Sequence, residues 1–283
     1  MTDARLRFSL KQAVAASDPK VAVDFLAQHA GLSKAAVKDA MNKGAAWLVR
    51  KGTRRVRRAD TLLREGDRVE LHYDKQLLAL TAPLGRCLLS NAHYSLWFKP
   101  SGLLAQGTAF GDHCSLLRQV EKNMRDAGKT PHLIHRLDRE AAGIMLFAHT
   151  ATAAAKLSAL FQANQVNKRY RIQVSGDLAK RHGAQGRIDL PLDSKAAVTE
   201  YSVTAYDPAT DITTVEVRLL TGRLHQIRRH FDALGCPVVG DPKYGRGNKN
   251  RDGMRLVATG LGFTCPFSRQ PVEVTLNETD IGF

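Results

Sequence analysis

Residues 201–220 read YSVTAYDPATDITTVEVRLL. On both sides of Asp207-Pro208-Ala209-Thr210-Asp211 apolar residues alternate with polar ones, and the centre is turn chemistry, so 201–207 and 212–220 are predicted to pair as a hairpin. Upstream, Tyr170, Ile172 and Val174 alternate in the same way, as in a half-exposed strand. Residues 151–164 (ATAAAKLSALFQAN) carry Leu157, Leu160 and Phe161 at three- and four-residue spacing in an alanine-rich stretch, which predicts a helix. Ala142 to Phe147 is a short apolar run suited to a buried strand, and Leu96-Trp97-Phe98 is a strand ended by Lys99-Pro100-Ser101-Gly102. Downstream, residues 224–234 support a helix closed by Gly235, followed by strands at 255–265 and 271–276. Strands in hairpins with only interspersed helices predict an α+β fold with a mixed, mainly antiparallel sheet rather than a doubly wound parallel one.

The N-terminal part has another rhythm. Residues 21–29 (VAVDFLAQH) are apolar at helical spacing, Ser33 is placed to cap a second helix running to Lys43, and Gly44 is placed to stop it. Short strands are expected around Trp47-Leu48-Val49 and Arg68-Val69-Glu70-Leu71, with the basic run Arg54-Arg55-Val56-Arg57-Arg58 between them. Such a run alone is ordinarily a solvated hairpin tip. Here Lys34 and Lys38, one turn apart, are expected to join Arg50, Lys51, Arg54 and Arg55 in one basic face suited to phosphates. The expected organisation is a small α/β domain at 1–75, a connector at 76–92 with a Thr81-Ala82-Pro83 break, and a larger domain at 93–283.

With 283 residues, 43% hydrophobic and 24% charged, the chain has ordinary globular composition, which excludes collagen-like and disordered classes. Its charge is unusual: 42 Lys and Arg against 27 Asp and Glu give +15. Residues 1–80 hold 16 basic and 9 acidic side chains, or +7, and the remainder +8. Such an excess suits a polyanionic partner, nucleic acid first. No apolar run approaches the roughly 18 residues of a membrane span, and no secretion signal is expected. Cys87, Cys114, Cys236 and Cys265 form no C-x-x-C pair, so they are expected to be reduced thiols of a cytoplasmic protein.

Two segments concentrate polar groups. The first, His132-Leu133-Ile134-His135-Arg136-Leu137-Asp138-Arg139-Glu140, enters the buried strand, and an acid between two arginines is expected to be ionised; alone, such a pattern is ordinarily a structural ion pair. The second runs from Thr221-Gly222-Arg223-Leu224-His225-Gln226-Ile227-Arg228-Arg229-His230 to Gly240-Asp241-Pro242-Lys243-Tyr244-Gly245. A strand end, a glycine and a helix start offer backbone amides to an anion, with Arg223 and Arg228 as bidentate donors; the plain alternative is a capped basic surface helix. The histidine pairs 132/135 and 225/230 lack zinc-site spacing, so no metal is expected, and neither a G-x-S-x-G nor a P-loop is present.

Two resemblances sharpen this. Phe25-Leu26, Gly31-Leu32-Ser33-Lys34, Gly44 and Glu65-Gly66-Asp67 resemble, in order, the αL-type RNA-binding domain of ribosomal small-subunit protein four, although Ala45-Ala46-Trp47-Leu48 departs from the usual valine and asparagine-glycine pattern. From residue 95 to about 276 the chain resembles the RluA-type RNA pseudouridine synthases. The resemblance lies in His135-Arg136-Leu137-Asp138 with Gly143, Lys99-Pro100-Ser101-Gly102, Lys168-Arg169-Tyr170, Thr221-Gly222-Arg223, His225-Gln226-Ile227-Arg228 and Gly240-Asp241 with Tyr244-Gly245. Ala141 and Ala142 stand where that family usually has threonine and serine, and Val257-Ala258 is less polar than its usual histidine-bearing strand.

The resemblance implies a cofactor-free enzyme acting on rRNA or tRNA, large-subunit rRNA before tRNA. It makes Asp138 the essential carboxylate, Arg228 the partner that keeps it charged and oriented, and Tyr170 the aromatic against the base. Ile227 becomes an apolar floor, and Arg136 fills the stack left by a flipped nucleotide. Lys168, Arg223, His225 and Gln226 are implied to contact backbone or base. The protein is expected to be a monomer. The rival readings are a catalytically silent, ribosome-associated RNA-binding protein and a nucleoside hydrolase using Asp138.

Overall fold

The computed structural model describes residues 6–125, 128–246 and 253–283. Two compact units divide the chain: one runs through Pro83 and takes in Gln106–Gln119, the other holds Leu84–Ala105 and Val120–Phe283.

The first unit contains β1 (Arg7–Ala13), α1 (Ala22–Ala30), α2 (Lys34–Asn42), β2 (Ala46–Val49), β3 (Thr53–Arg55), β4 (Arg68–Asp74) and α3 (Lys75–Ala79). Its antiparallel sheet has the order β1-β4-β2-β3. Gly31 closes α1 in the left-handed conformation, φ 64°, and the Ser33 hydroxyl accepts from the Ala36 N–H at 3.2 Å, so both sequence signals act where they stand. The helices turn Phe25, Leu26, Val37 and Met41 against Leu48, Val69 and Leu71, all buried. Each such side chain contributes about 1.5–3 kcal/mol on full burial.

Three features here differ from the sequence reading. Strand β1 was not foreseen, because as an edge strand its residues alternate only between exposed and half-buried. The connector at 76–92 contains most of α3, capped by Asp74 through the Leu77 N–H at 3.0 Å, and also β5 (Arg86–Ser90). Residues 106–119, read as part of the larger domain, fold within the first unit: Trp47 Nε1 donates to the Ala109 carbonyl at 3.0 Å, and the buried Asp112 carboxylate pairs with Arg55 and Arg57. These partners lie more than fifty residues apart, beyond the reach of any local pattern.

In the second unit β5 and β6 (Tyr94–Lys99) precede α4 (Leu116–Met124), within which the division falls. Then come β7 (His132–Leu133), β8 (Ala142–Ala148), α5 (Ala151–Gln162), β9 (Asn167–Ser175), α6 (Leu178–His182), β10 (Gln185–Asp189), β11 (Val198–Asp207), β12 (Ile212–Leu219), α7 (Gln226–Ala233), β13 (Leu256–Thr264), β14 (Pro271–Thr275) and α8 (Glu278–Ile281). The sheet order is β10-β11-β12-β9-β13-β8-β6-β5, with β14 added to β13 and β7 to β8. Among the described residues only β8 and β13 pair in parallel, so the expected mixed, mainly antiparallel α+β architecture is what the chain adopts. The β11–β12 hairpin turns where the sequence indicates: Asp207 accepts from the Ala209 N–H and the Thr210 hydroxyl, and Asp211 takes φ 53°.

The sheet centre positions the cleft described below. Tyr170 on β9 lies opposite Val217 on β12, Ile172 opposite Leu256 on β13, and Val257 opposite Ala142 at the start of β8. The β8–β13 contact depends on Gly143, whose φ is 124° and whose position leaves no room for a Cβ: one placed there would lie 2.4 Å from both N and O of Ala258. Gly143→Ala is therefore expected to cost about 2–4 kcal/mol from backbone strain and overpacking. The urea midpoint should fall accordingly; an unchanged midpoint would show that these strands do not need to approach so closely.

Candidate active site

Two turns of backbone, each fixed by buried polar side chains, face one another across the end of the central strands. The first follows β12. His225 takes φ 53°, reversing the chain into α7. Gln226, 3% exposed, closes this turn: its Oε1 accepts from the Thr221 hydroxyl at 2.8 Å and the Arg223 N–H at 3.0 Å, and its Nε2 donates to Val198 O and Thr199 Oγ1, each at 3.0 Å. The Gln226 amide, expected to contact RNA, thus has a full set of bonds within the protein. Lys168 is likewise buried and donates to the Thr221 carbonyl at 3.1 Å, and burial lowers its pKa.

The second turn carries Asp138 and is held from beneath by Lys99-Pro100-Ser101-Gly102. The fully buried Lys99 donates to the carbonyls of Leu103 at 2.7 Å, Pro100 at 3.1 Å and Arg139 at 3.2 Å. Burial pushes its pKa down to about 7, against the pull of Glu140 and Asp138. The Gly102 N–H donates to Arg139 O at 2.8 Å and the Ser101 hydroxyl to Glu140 O at 2.6 Å. On the N-terminal side the His135 ring stacks on Phe161, centroids 4.8 Å apart, and its Nε2 accepts from the Leu146 N–H at 3.1 Å. That bond requires an unprotonated Nε2, and burial, with a smaller push from Lys168, moves the imidazole pKa down to about 4.

Arg228 joins the two turns. Its side chain is 3% exposed, and it donates through Nε and Nη2 to both oxygens of the buried Asp241, at 2.6 and 2.7 Å, and through Nη1 to Asp138 Oδ2 at 2.7 Å. Asp241 also accepts the N–H groups of Lys243 at 2.8 Å and Tyr244 at 3.0 Å. Burial opposes charge on both partners, but these bonds more than offset it, holding the Asp241 pKa low and the Arg228 pKa high. In the sequence Asp241 stands only as part of a motif, with no expected place in the site; its one signal is an acid in a Gly-Asp-Pro turn just after a basic helix.

Asp138, its side chain 24% exposed, presents its carboxylate to an open cleft of about 400 Å³. The cleft is lined by Arg136, Leu137, Asp138, Ala141, Tyr170, Leu219, Arg223, His225, Gln226, Ile227, Arg228 and Leu256, so the structure brings together every candidate of this unit except Lys168. Burial, then the Asp138 charge, raise the Tyr170 pKa, and its hydroxyl stays protonated. His225 Nε2 lies 3.7 Å from Asp138 Oδ1 and its Nδ1 is 3.1 Å from the Tyr244 hydroxyl; burial lowers its pKa, with Asp138 opposing. Arg136 is exposed and has no partner among the described residues, whereas the exposed Arg223 donates to Ala196 O at 2.9 Å. Ala141 is buried and its N–H bonds to Asp138 O, so the small residue here packs beneath the loop. Among the described residues no three His, Cys, Asp or Glu side chains group as a metal site.

In the first unit the expected basic face is thinner than its composition. Arg50 turns onto the buried Asp67, and burial of that acid is offset by Arg50 and the Arg64 N–H, which hold its pKa low. Arg55 lies over the Trp47 ring at 4.1 Å and donates to Thr108 O at 2.7 Å as well as pairing with Asp112. Lys34 reaches Asp24 at 2.7 Å but remains exposed. Lys38, Lys51 and Arg54 are exposed and without partners among the described residues.

A single carboxylate, an aromatic ring, apolar walls and three arginines suit a flat ligand that also carries negative charge. Comparison with known proteins points the same way. The RNA pseudouridylate synthase family model matches residues 93–233. The chain is 32% identical to an uncharacterised RNA pseudouridine synthase of Aquifex aeolicus over 78% of this chain and 75% of that protein. It is 36% identical to ribosomal large subunit pseudouridine synthase D of Pseudomonas aeruginosa over 52% of this chain, spanning about half (49%) of that relative. It is 33% identical to tRNA pseudouridine synthase C of Pasteurella multocida over 62% of this chain and 84% of that protein. The structure of human RNA pseudouridylate synthase domain containing 1 superposes with a TM-score of 0.58 at 22% identity, over 70% of this chain and 85% of that one, which is a likeness of fold.

Two measurements check the electrostatic architecture. Asp241→Asn leaves the buried guanidinium undercompensated and is expected to lower stability by about 3–5 kcal/mol in urea unfolding; a loss under about 1 kcal/mol would mean that Asp241 is not its main support. For His135 the folded-state pKa lies below the ordinary 6.5, so the unfolded chain binds the extra proton more readily, and stability should fall as pH drops from about 6.5 to about 4. His135→Gln should flatten the pH slope within that window, and an identical slope would contradict the assignment.

Proposed function

Because this chain belongs to the RNA pseudouridylate synthase family, we propose that Asp138 is its catalytic carboxylate and that its target is a uridine of large-subunit ribosomal RNA. The family reaction breaks the bond from ribose C1′ to uracil N1 and joins C1′ to C5. The C5 proton leaves to solvent, N1 gains a proton, and nothing is oxidised or reduced, so the reaction calls for no cofactor. A carboxylate suffices, either adding to the sugar or ring or moving the C5 proton.

The observation that carries this reading is that Asp138 is the one acidic side chain lining the cleft among the described residues, and that it is held there by an arginine itself pinned by Asp241. Around it Tyr170 stacks against the uracil as a neutral phenol, with Ile227, Leu219 and Leu256 as apolar walls. Arg136, exposed and without a partner among the described residues, takes the stacking position vacated when the uridine flips out of its stack. Arg223 contacts a phosphate with the guanidinium nitrogens it does not give to Ala196, and His225 offers a neutral imidazole beside the carboxylate. Lys168 and Gln226 keep the 221–226 turn in shape. In the first unit Lys38, Lys51 and Arg54, with Lys34, supply the sequence-independent attraction to RNA, while Arg50 and Arg55 hold that unit together.

Ribosomal RNA carrying tritium at uracil C5 tests this directly. The protein should release tritium to water from large-subunit rRNA, and Asp138→Ala should slow release by on the order of 10³-fold or more while RNA binding persists. Release unaffected by Asp138→Ala would remove the residue from the chemistry, and release from tRNA alone would move the substrate.

A further inference from the structure

Beyond the uridine cleft the sheet opens a second time. Strands β9 and β12 pair from Ser175 and Ile212 down to Arg169 and Arg218, and there the ladder ends. Past that point β9 continues on β13, with Lys168 opposite Leu261 and Asn167 opposite Gly262. Strand β12 instead stays with β11, with Leu219 opposite Thr199 and the Leu220 N–H on Val198 O. The two strands part, and the fork leaves an open groove of about 630 Å³ lined by Asn164-Gln165-Val166-Asn167 and by Arg218-Leu219-Leu220. Leu219 lines this fork and the uridine cleft alike.

The chemistry of the fork differs from that of the cleft. Asn164, Gln165 and Asn167 are exposed, and their side-chain amides make no hydrogen bond among the described residues. Each amide offers a paired donor and acceptor, the arrangement that reads a nucleobase edge. They are set on a defined backbone: Asn164 takes φ 55° after α5, and the Asn164 and Gln165 N–H groups bond to Phe161 O and Leu160 O. Arg218 commits one nitrogen, at 3.4 Å, to Glu200 and keeps further N–H groups for a phosphate.

The geometry points to a second nucleotide subsite, in which the amides of Asn164, Gln165 and Asn167 read the base next to the target uridine in an unpaired stretch of RNA, with Arg218 on its phosphate. This rests on the reading of the neighbouring cleft as the uridine site. It gives that site a means of choosing among uridines, since unpaired bases expose edges that a duplex hides. The occupant we infer is a nucleotide within a strand, because Leu219 lines both sites and so sets them one residue apart.

The test is the triple variant Asn164→Ala/Gln165→Ala/Asn167→Ala, assayed for tritium release from large-subunit rRNA beside the wild type. It should raise KM about tenfold and leave kcat at saturating RNA unchanged; an unchanged KM overturns the subsite. Side-chain amide NMR signals of the wild-type protein provide a readout that does not need turnover. Single-stranded uridine-containing trinucleotides should shift the Asn164, Gln165 and Asn167 signals, and uridine monophosphate should not. Trinucleotides that leave those signals in place also overturn the subsite. Absence of tritium release from wild type, with the amide shifts present, would instead fault the uridine reading and spare the fork.

Discussion

The second unit's site depends on one buried guanidinium shared between two carboxylates. At 3% exposure the Arg228 charge is compensated chiefly by Asp241, which meets it with both oxygens and is itself held by two backbone N–H groups. With two of its nitrogens committed, the remaining Nη1 has a fixed direction, and Asp138 receives it at 2.7 Å. The carboxylate that faces the cleft is therefore positioned by a rigid donor rather than by solvent. Little about its placement is left to side-chain freedom.

The backbone around this pair is fixed with equal economy of parts. Gln226 ties the turn after β12 to β11, and Lys99 ties the Asp138 turn to residues 99–103 through three carbonyls. Both are buried polar groups with every available proton bonded, so neither turn can shift without stranding hydrogen-bond partners. The close approach of β8 and β13 at Gly143 sets where the Asp138 turn enters the sheet. Sequence, sheet geometry and electrostatics thus converge on one carboxylate in one cleft.

Much of this was legible in the sequence, and the limits are physical. The hairpin at 201–220, the helix at 151–164 and the glycine and serine signals around α1 and α2 are local, and each is found where its pattern stands. Asp138 and Arg228 were marked by motif chemistry, although their meeting across ninety residues is a tertiary fact. What escaped was pairing at a distance. Arg50 and Arg55 look like free cations until Asp67 and Asp112 are brought to them, and Gln226 looks like an RNA contact until four partners use its amide. Edge strands β1 and β10 carry too weak an apolar alternation to declare themselves.

If Arg228 is the link between the two carboxylates, Asp241 acts on the reaction only through it. A double-mutant cycle on the single-turnover rate of isomerisation, using Arg228→Gln, Asp241→Asn and the pair, measures that coupling. The double variant should be as slow as Arg228→Gln alone, because the second change removes nothing that remains. Rate losses that multiply in the double variant would contradict it, and would show that the two residues reach Asp138 by separate routes.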